Sequence, residues 1–134
     1  SHFRSKAELL EAVVESELGR SLDRFAGKTD EQLVAVLESY LSTGHVDQPA
    51  RGCAVTTLSI DVARASVETK EILERMMIRI KDELSAHLAG DDEAWIMISQ
   101  MVGGIMIARA MASEKSRKSL LEGVMRECRE MLNR

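Results

Sequence analysis

Large aromatic side chains are nearly missing from this chain of 134 residues: one Trp, one Tyr and two Phe make up 3% of it. A core built here has to be filled by Leu, Ile, Val and Met. Proline occurs once, at Pro49, and β-branched residues do not gather into runs, which excludes most sheet architectures and favours an all-helical chain. The two cysteines, Cys53 and Cys128, lie far apart and match neither zinc-site nor redox-motif spacing. With no signal peptide at the start, a reducing cytoplasm is the expected compartment. No apolar run is long enough for a membrane span: the longest, 94–111, is interrupted by Ser99, Gln100 and Arg109 and falls short of the ~20 residues required. Positive charge is also short, the net being −4, which does not suit a self-sufficient nucleic-acid binder.

Chemistry-bearing clusters are lacking as well. His2, His45 and His87 are scattered, with no His-Glu-x-x-His spacing. His45 with Asp47 is read as a solvated loop pair rather than a metal site. The acidic triplet Asp91-Asp92-Glu93 falls at a helix start, where the helix dipole accounts for it without a cation. No serine sits in a nucleophile elbow and no glycine-rich loop opens a helix. The expectation is a protein that is not an enzyme and needs no metal or cofactor.

What the chain does have is clear punctuation. A first helix is expected over 5–25, with Ser5 and Glu8 as a capping box, stripe Leu10, Val14, Leu18, Leu22, Phe25, and Gly27 just past its end. Thr29 and Gln32 form a second capping box for a helix to Ser42, with stripe Leu33, Val36, Leu37, Tyr40, Leu41 and Gly44 closing it. Residues 44–52 are the one real loop, followed by a short helix over 53–64. Ser66 caps a helix to Leu88 (stripe Leu73, Met76, Met77, Ile80, Leu84, Leu88), Asp91 caps one over 92–112, and Ser113 or Ser116 caps the last, with stripe Leu121, Val124, Met125, Cys128, Leu132. Six helices joined mostly by short turns make a compact antiparallel bundle.

Three stretches carry a family resemblance. His2-Phe3-Arg4-Ser5-Lys6-Ala7-Glu8-Leu9-Leu10 resembles the junction in TetR-type transcriptional regulators, where the recognition helix of a helix-turn-helix ends and the long helix into the regulatory domain begins. The middle is similar to a common regulatory-domain pattern of that family: Tyr40-Leu41-Ser42, a polar loop His45-Val46-Asp47-Gln48-Pro49-Ala50-Arg51, then Gly52-Cys53, Leu58 and Asp61-Val62-Ala63-Arg64. Val102-Gly103-Gly104-Ile105-Met106-Ile107-Ala108-Arg109-Ala110 also looks like the family's penultimate helix. Ala54 departs from the pattern, since many such proteins carry Pro after Gly-Cys, and this touches the start of the short helix only.

The resemblance implies a homodimer whose last two long helices form a four-helix interface, an effector pocket between that interface and the DNA-binding part, and release of operator DNA on effector binding. The chain then begins in mid-fold. Residues 1–4 are the remnant of a recognition-helix end, and 5–134 are the effector-binding and dimerisation domain of a ligand-responsive regulator, a repressor by family habit. His2 and Lys6 match positions that touch DNA phosphates in that family, and residues 1–6 carry a charge of +2.

The candidate effector site comprises Tyr40, Cys53, Leu58, Met76, Met77, Ile80, Trp95, Met97 and Met101. Methionines adapt to irregular apolar ligands, and Tyr40 and Trp95 combine an apolar body with a donor. Cys53 is either a sensor thiol, favoured by a helix N-terminus and Arg51, or a small lining side chain. The candidate dimer face is Gly104, Ile105, Ala108, Leu121, Val124, Met125 and Cys128. The helix over 92–112 is apolar nearly all round and must be covered on both sides, with Gly103, Gly104 and Ala108 permitting close approach. Which side takes the partner and which the ligand stays open. The competing function is an all-helical interaction module without a ligand pocket. A cavity lined by Tyr40, Met76, Met77 and Trp95 favours the regulator; a solid core there favours the module.

Overall fold

The computed structural model describes residues 4–44 and 54–134. Among these the chain is all-helical, with no strand: α1 spans Lys6–Phe25, α2 Asp30–Tyr40, α3 Ala54–Ala63, α4 Val67–Ser85, α5 Asp91–Ala110 and α6 Glu114–Leu132. The expected loop, residues 44–52, lies almost wholly outside the described residues.

Local chemistry sets the ends. The Thr29–Gln32 capping box is complete: Gln32 N–H donates to Thr29 Oγ1 at 3.2 Å and Thr29 N–H to Gln32 Oε1 at 3.0 Å. At Ser5 only half of the expected box forms. Glu8 N–H donates to Ser5 Oγ, but the Glu8 carboxylate takes the N–H of Arg4, one residue further out. Gly27 is left-handed, at φ 66°, so its lack of a Cβ is what lets the chain turn between α1 and α2. Ser66 caps α4 through Thr69 N–H, and of the two serines proposed for α6 it is Ser113 that caps, through Ser116 N–H.

Three expected boundaries shift. The second helix stops at Tyr40 rather than Ser42 and the fourth at Ser85 rather than Leu88. Asp91 is the first residue of α5, not its cap; Gly90 holds the cap position and offers no side chain. The Asp91 carboxylate is engaged sideways, by Lys81 Nζ at 3.1 Å and Ser85 Oγ at 2.8 Å, and so is not free to cap.

The core is aliphatic, as the shortage of aromatics requires. Leu18, Leu33, Leu37, Leu84, Met97 and Ile105 are fully enclosed, and each such side chain contributes ~1.5–3 kcal/mol over leaving it in water. The main packing is α1 on α4 and α5 on α6. α5 also meets α4, and α3 bridges α1, α4 and α5. Polar ties pin the outer edges: Thr69 Oγ1 donates to Glu11 Oε1 between α4 and α1, and Arg129 Nη2 to Glu38 Oε1 at 2.6 Å between α6 and α2. Among the described residues no helix is long and apolar enough to cross a membrane.

Candidate functional site

Where α1, α2, α3, α4 and α5 converge, the packing leaves an apolar cleft with about 320 Å³ of atom-free space, part of it open to solvent. Its enclosed part has room for little more than a water molecule. The walls are Phe25 from α1, Tyr40 from α2, Val55 from α3, Met77, Ile80 and Leu84 from α4, and Ile98, Met101 and Val102 from α5, with Ser21 beside them. Amphipathic spacing explains the convergence. Met77, Ile80 and Leu84 lie three and four residues apart on one face of α4, and Ile98, Met101 and Val102 do the same on α5.

Of the nine residues proposed for an effector site, four line this cleft: Tyr40, Met77, Ile80 and Met101. Trp95 does not. Six residues from Met101, it points about 120° away around the helix. It stands on the rim of a second, wider groove between α3, α4 and α5, with about 1100 Å³ of largely open space, lined also by Val62, Leu73, Met77 and Ile78, with Lys70 and Glu74 at its edge. Lys81 Nζ lies 5.9 Å from the Trp95 ring centre. The expected pairing of Tyr40 and Trp95 as anchors of one pocket is thereby split between two surfaces, with Met77 as the wall between them.

Met97 is fully buried and lines neither space. It lies seven residues before Gly104, hence on the same face of α5, the one that meets Val124 of α6. Leu58 and Met76 are half-buried against the core and line neither space. Cys53 lies outside the described residues.

Six of the seven residues proposed for a dimer face are enclosed within the chain itself. Gly104, Ile105, Ala108, Leu121, Met125 and Cys128 are all buried inside the single chain. Val124 is half-buried and packs at Gly104, where a Cβ would lie 3.2 Å from Val124 Cγ2. Gly104 and Val124 thus meet between α5 and α6. The uncovered apolar face of α5 is the opposite one, carrying Trp95, Ile96, Met106 and Ile107 around Gly103. A helix apolar all round buries one side within its own chain, and Gly104, against Val124, lies on that side.

Lys6 is exposed in the first turn of α1, beside Arg4, and His2 lies outside the described residues. Cys128 is buried on α6, and burial, with the nearby Glu127 charge, pushes its thiol up to about 11, so it stays protonated and acts as packing. No cluster of three or more His, Cys, Asp or Glu that could hold a metal occurs among the described residues.

One partly buried polar side chain at the end of α5 stands out. Arg109, in the last turn of α5, donates Nη1–H to Thr56 Oγ1 at 2.6 Å, while its Nε and Nη2 are buried with no hydrogen-bond partner. Sequence reasoning noticed Arg109 only as a break in an apolar run. A cation placed inside such a run was itself the signal. Ser21, Phe25, Val55, Leu84, Ile98 and Val102 were also missed as cleft walls, because a stripe reading does not say which buried residues border empty space. No protein-family model matches the chain, and no curated protein matches it either.

Proposed function

We propose that this chain is the effector-binding and dimerisation half of a ligand-responsive transcriptional regulator of the TetR type, a repressor whose DNA-reading part lies outside it. The observation that carries the reading is the apolar cleft walled by five helices, with Tyr40 beside an otherwise oily lining. Ligand sites are of this kind: mostly apolar, with a few polar groups. The cleft is narrow as it stands, and Met77 and Met101 are the side chains best suited to widen it, being unbranched and adaptable. Support for the second property comes from α5. Its outer face leaves Ile96, Met106 and Ile107 about half exposed around Gly103, a surface a second copy would cover in an isologous pair. Effector binding would then act by population shift, favouring the subunit arrangement whose DNA heads no longer fit adjacent major grooves.

The test is direct. The purified chain is denatured, its small molecules are identified by mass spectrometry, and uptake of apolar probes is measured for the wild type and for Met77→Trp, which fills the cleft. The expected result is a bound apolar molecule that the variant loses. A chain that carries nothing and takes up no apolar probe defeats the reading.

A second reading, a helical interaction module, is favoured by one observation: the enclosed space is barely larger than a water. Under it, Met77→Trp leaves all binding untouched, and the outer face of α5 alone carries the function.

A further inference from the structure

The narrow cleft and the wider groove share three helices, α3, α4 and α5, and each helix turns one stripe to both spaces. On α3, Val55 borders the cleft, while Ser59 and Val62, four and seven residues on, border the groove. On α5, Trp95 borders the groove, and Ile98 and Val102 border the cleft. On α4 the stripe runs from Leu73 in the groove through Met77 to Ile80 and Leu84 in the cleft. Met77 is the one residue that lines both. It is half-buried, and its unbranched thioether is the kind of side chain most readily turned aside. The enclosed part of the cleft has room for little more than a water, so a larger guest needs added space. Met77 is the wall with open space on its other side.

Charge narrows the class of guest. The cleft walls are apolar. In the groove the charges are matched: Lys70 and Glu74 stand together at its edge, and Lys81 Nζ, over the Trp95 ring, is answered by Asp82 and Asp91. An ionised guest of either sign would leave water for walls that offer no free counter-charge, a costly transfer. A neutral polar end is served better. Ser59 Oγ donates to the Val55 carbonyl at 2.6 Å, which leaves its lone pairs to accept, and Trp95 carries an indole N–H donor.

We propose that the cleft and the groove are two parts of one binding chamber, joined when Met77 turns aside. Its ligand is an uncharged, extended apolar molecule, of the class of a medium-chain alcohol or ester, with its tail in the cleft and its neutral polar end in the groove beside Trp95. The inference rests on the cleft being a ligand site. It adds the class of ligand, the second half of the site and the residue that joins the halves.

Trp95, the one tryptophan of the chain, reports from the groove. Hexanol, decanol, decanoate and decylamine are titrated onto the wild type, Met77→Ala and Ala63→Phe, read by calorimetry and by Trp95 emission. Ala63 is exposed and lines the groove but not the cleft, so a ring there fills the groove without entering the core. Decanol is expected to bind the wild type at least about tenfold more tightly than hexanol, a modest return on its extra buried methylenes, and to shift Trp95 emission to the blue. Decanoate and decylamine bind more weakly than decanol. Ala63→Phe weakens decanol and leaves hexanol as in the wild type, which also shows that the variant is folded. Met77→Ala speeds decanol association in stopped-flow fluorescence. Decanol no tighter than hexanol, or equally tight in the wild type and Ala63→Phe, overturns the joined chamber and leaves the cleft as a ligand site. An association rate no faster in Met77→Ala overturns Met77 as the joining residue. Decanoate or decylamine binding as tightly as decanol overturns the class of ligand. Failure of every probe to bind the wild type overturns this inference together with the reading of the cleft beneath it.

Discussion

The two last long helices, packed side by side, are built on opposite plans. α6 is sorted: Leu121, Met125, Cys128 and Met131 go inward, while Lys115, Lys118, Glu122, Arg126, Arg129 and Glu130 face water. α5 is unsorted, with apolar residues buried on one face and Trp95, Ile96, Met106 and Ile107 exposed on the other. A sorted helix needs nothing beyond its own subunit. An unsorted one carries a face whose exposure the single chain does not explain. The difference singles out the outside of α5 as a face with several large apolar side chains left exposed.

Two isoleucines two residues apart measure the contrast. Ile105 is 0% exposed and Ile107 54%. Ile105→Ala is expected to cost about 2–5 kcal/mol in chemical denaturation, the range for emptying a packed aliphatic site. Ile107→Ala should change the stability of a lone subunit by less than about 0.5 kcal/mol. The same position, changed to Asp together with Ile96, should act on association instead: sedimentation velocity at micromolar concentration is expected to give a dimer for the wild type and a monomer for the double variant. Equal costs at 105 and 107 would dissolve the distinction between the faces.

The two glycines sharpen it at smaller scale. Around Gly103 nothing lies within 4 Å of where a Cβ would go, whereas at Gly104 Val124 Cγ2 stands 3.2 Å away. Alanine in a helix interior is worth ~1 kcal/mol over glycine. Gly103→Ala should therefore raise the stability of the lone subunit by up to about 1 kcal/mol, and at Gly104 the gain is reduced or reversed because Val124 must yield. If a second copy packs closely over Gly103, that variant also weakens the dimer, which a concentration series in sedimentation reads separately from thermal stability.

The helices were legible because their signals are local. The capping box at Thr29, the glycine past Phe25 and the serines at 5, 66 and 113 all act within one turn, and the i, i+3, i+4 stripes gave the buried faces of α1, α2 and α6 almost residue for residue. What failed had its cause elsewhere in the chain. Asp91 looked like a cap because acidic residues suit that place, and it was diverted by Lys81 and Ser85, ten and six residues back. Six of the seven proposed interface residues lie buried within the single chain, and a stripe says that something is covered and not by what. Met97 and Trp95 went astray for a related reason: an apolar residue on an all-apolar helix can face core, cleft or solvent, and nothing in its own neighbourhood distinguishes them. The Arg109–Thr56 hydrogen bond joins residues far apart in sequence, and no local pattern predicts such a partner.

The smallest expected effect concerns how α5 is anchored at its start. Lys81 Nζ lies between Asp82, at 2.6 Å, and Asp91, at 3.1 Å, so the two carboxylates hold its pKa above the ordinary lysine value, Asp82 through the larger hydrogen bond. The Ser85 hydroxyl first, and the Lys81 ammonium next, hold the Asp91 carboxyl below its ordinary value. A carboxyl with a depressed folded-state pKa contributes stability above its unfolded value and loses it as pH falls through the folded one. Asp91→Asn should accordingly be less stable than the wild type at neutral pH, and the gap should close in acid as Asp91 protonates. Because the group is largely exposed, the neutral-pH difference is expected to be small, as for a surface ion pair, and to shrink with added salt. Paired melting curves of wild type and variant, from neutral pH down to below the ordinary carboxylate range, check it. A gap that stayed constant into acid would mean that Asp91 acts there through packing or hydrogen bonding alone, and that the charge on α4 plays no part in holding the unsorted helix in place.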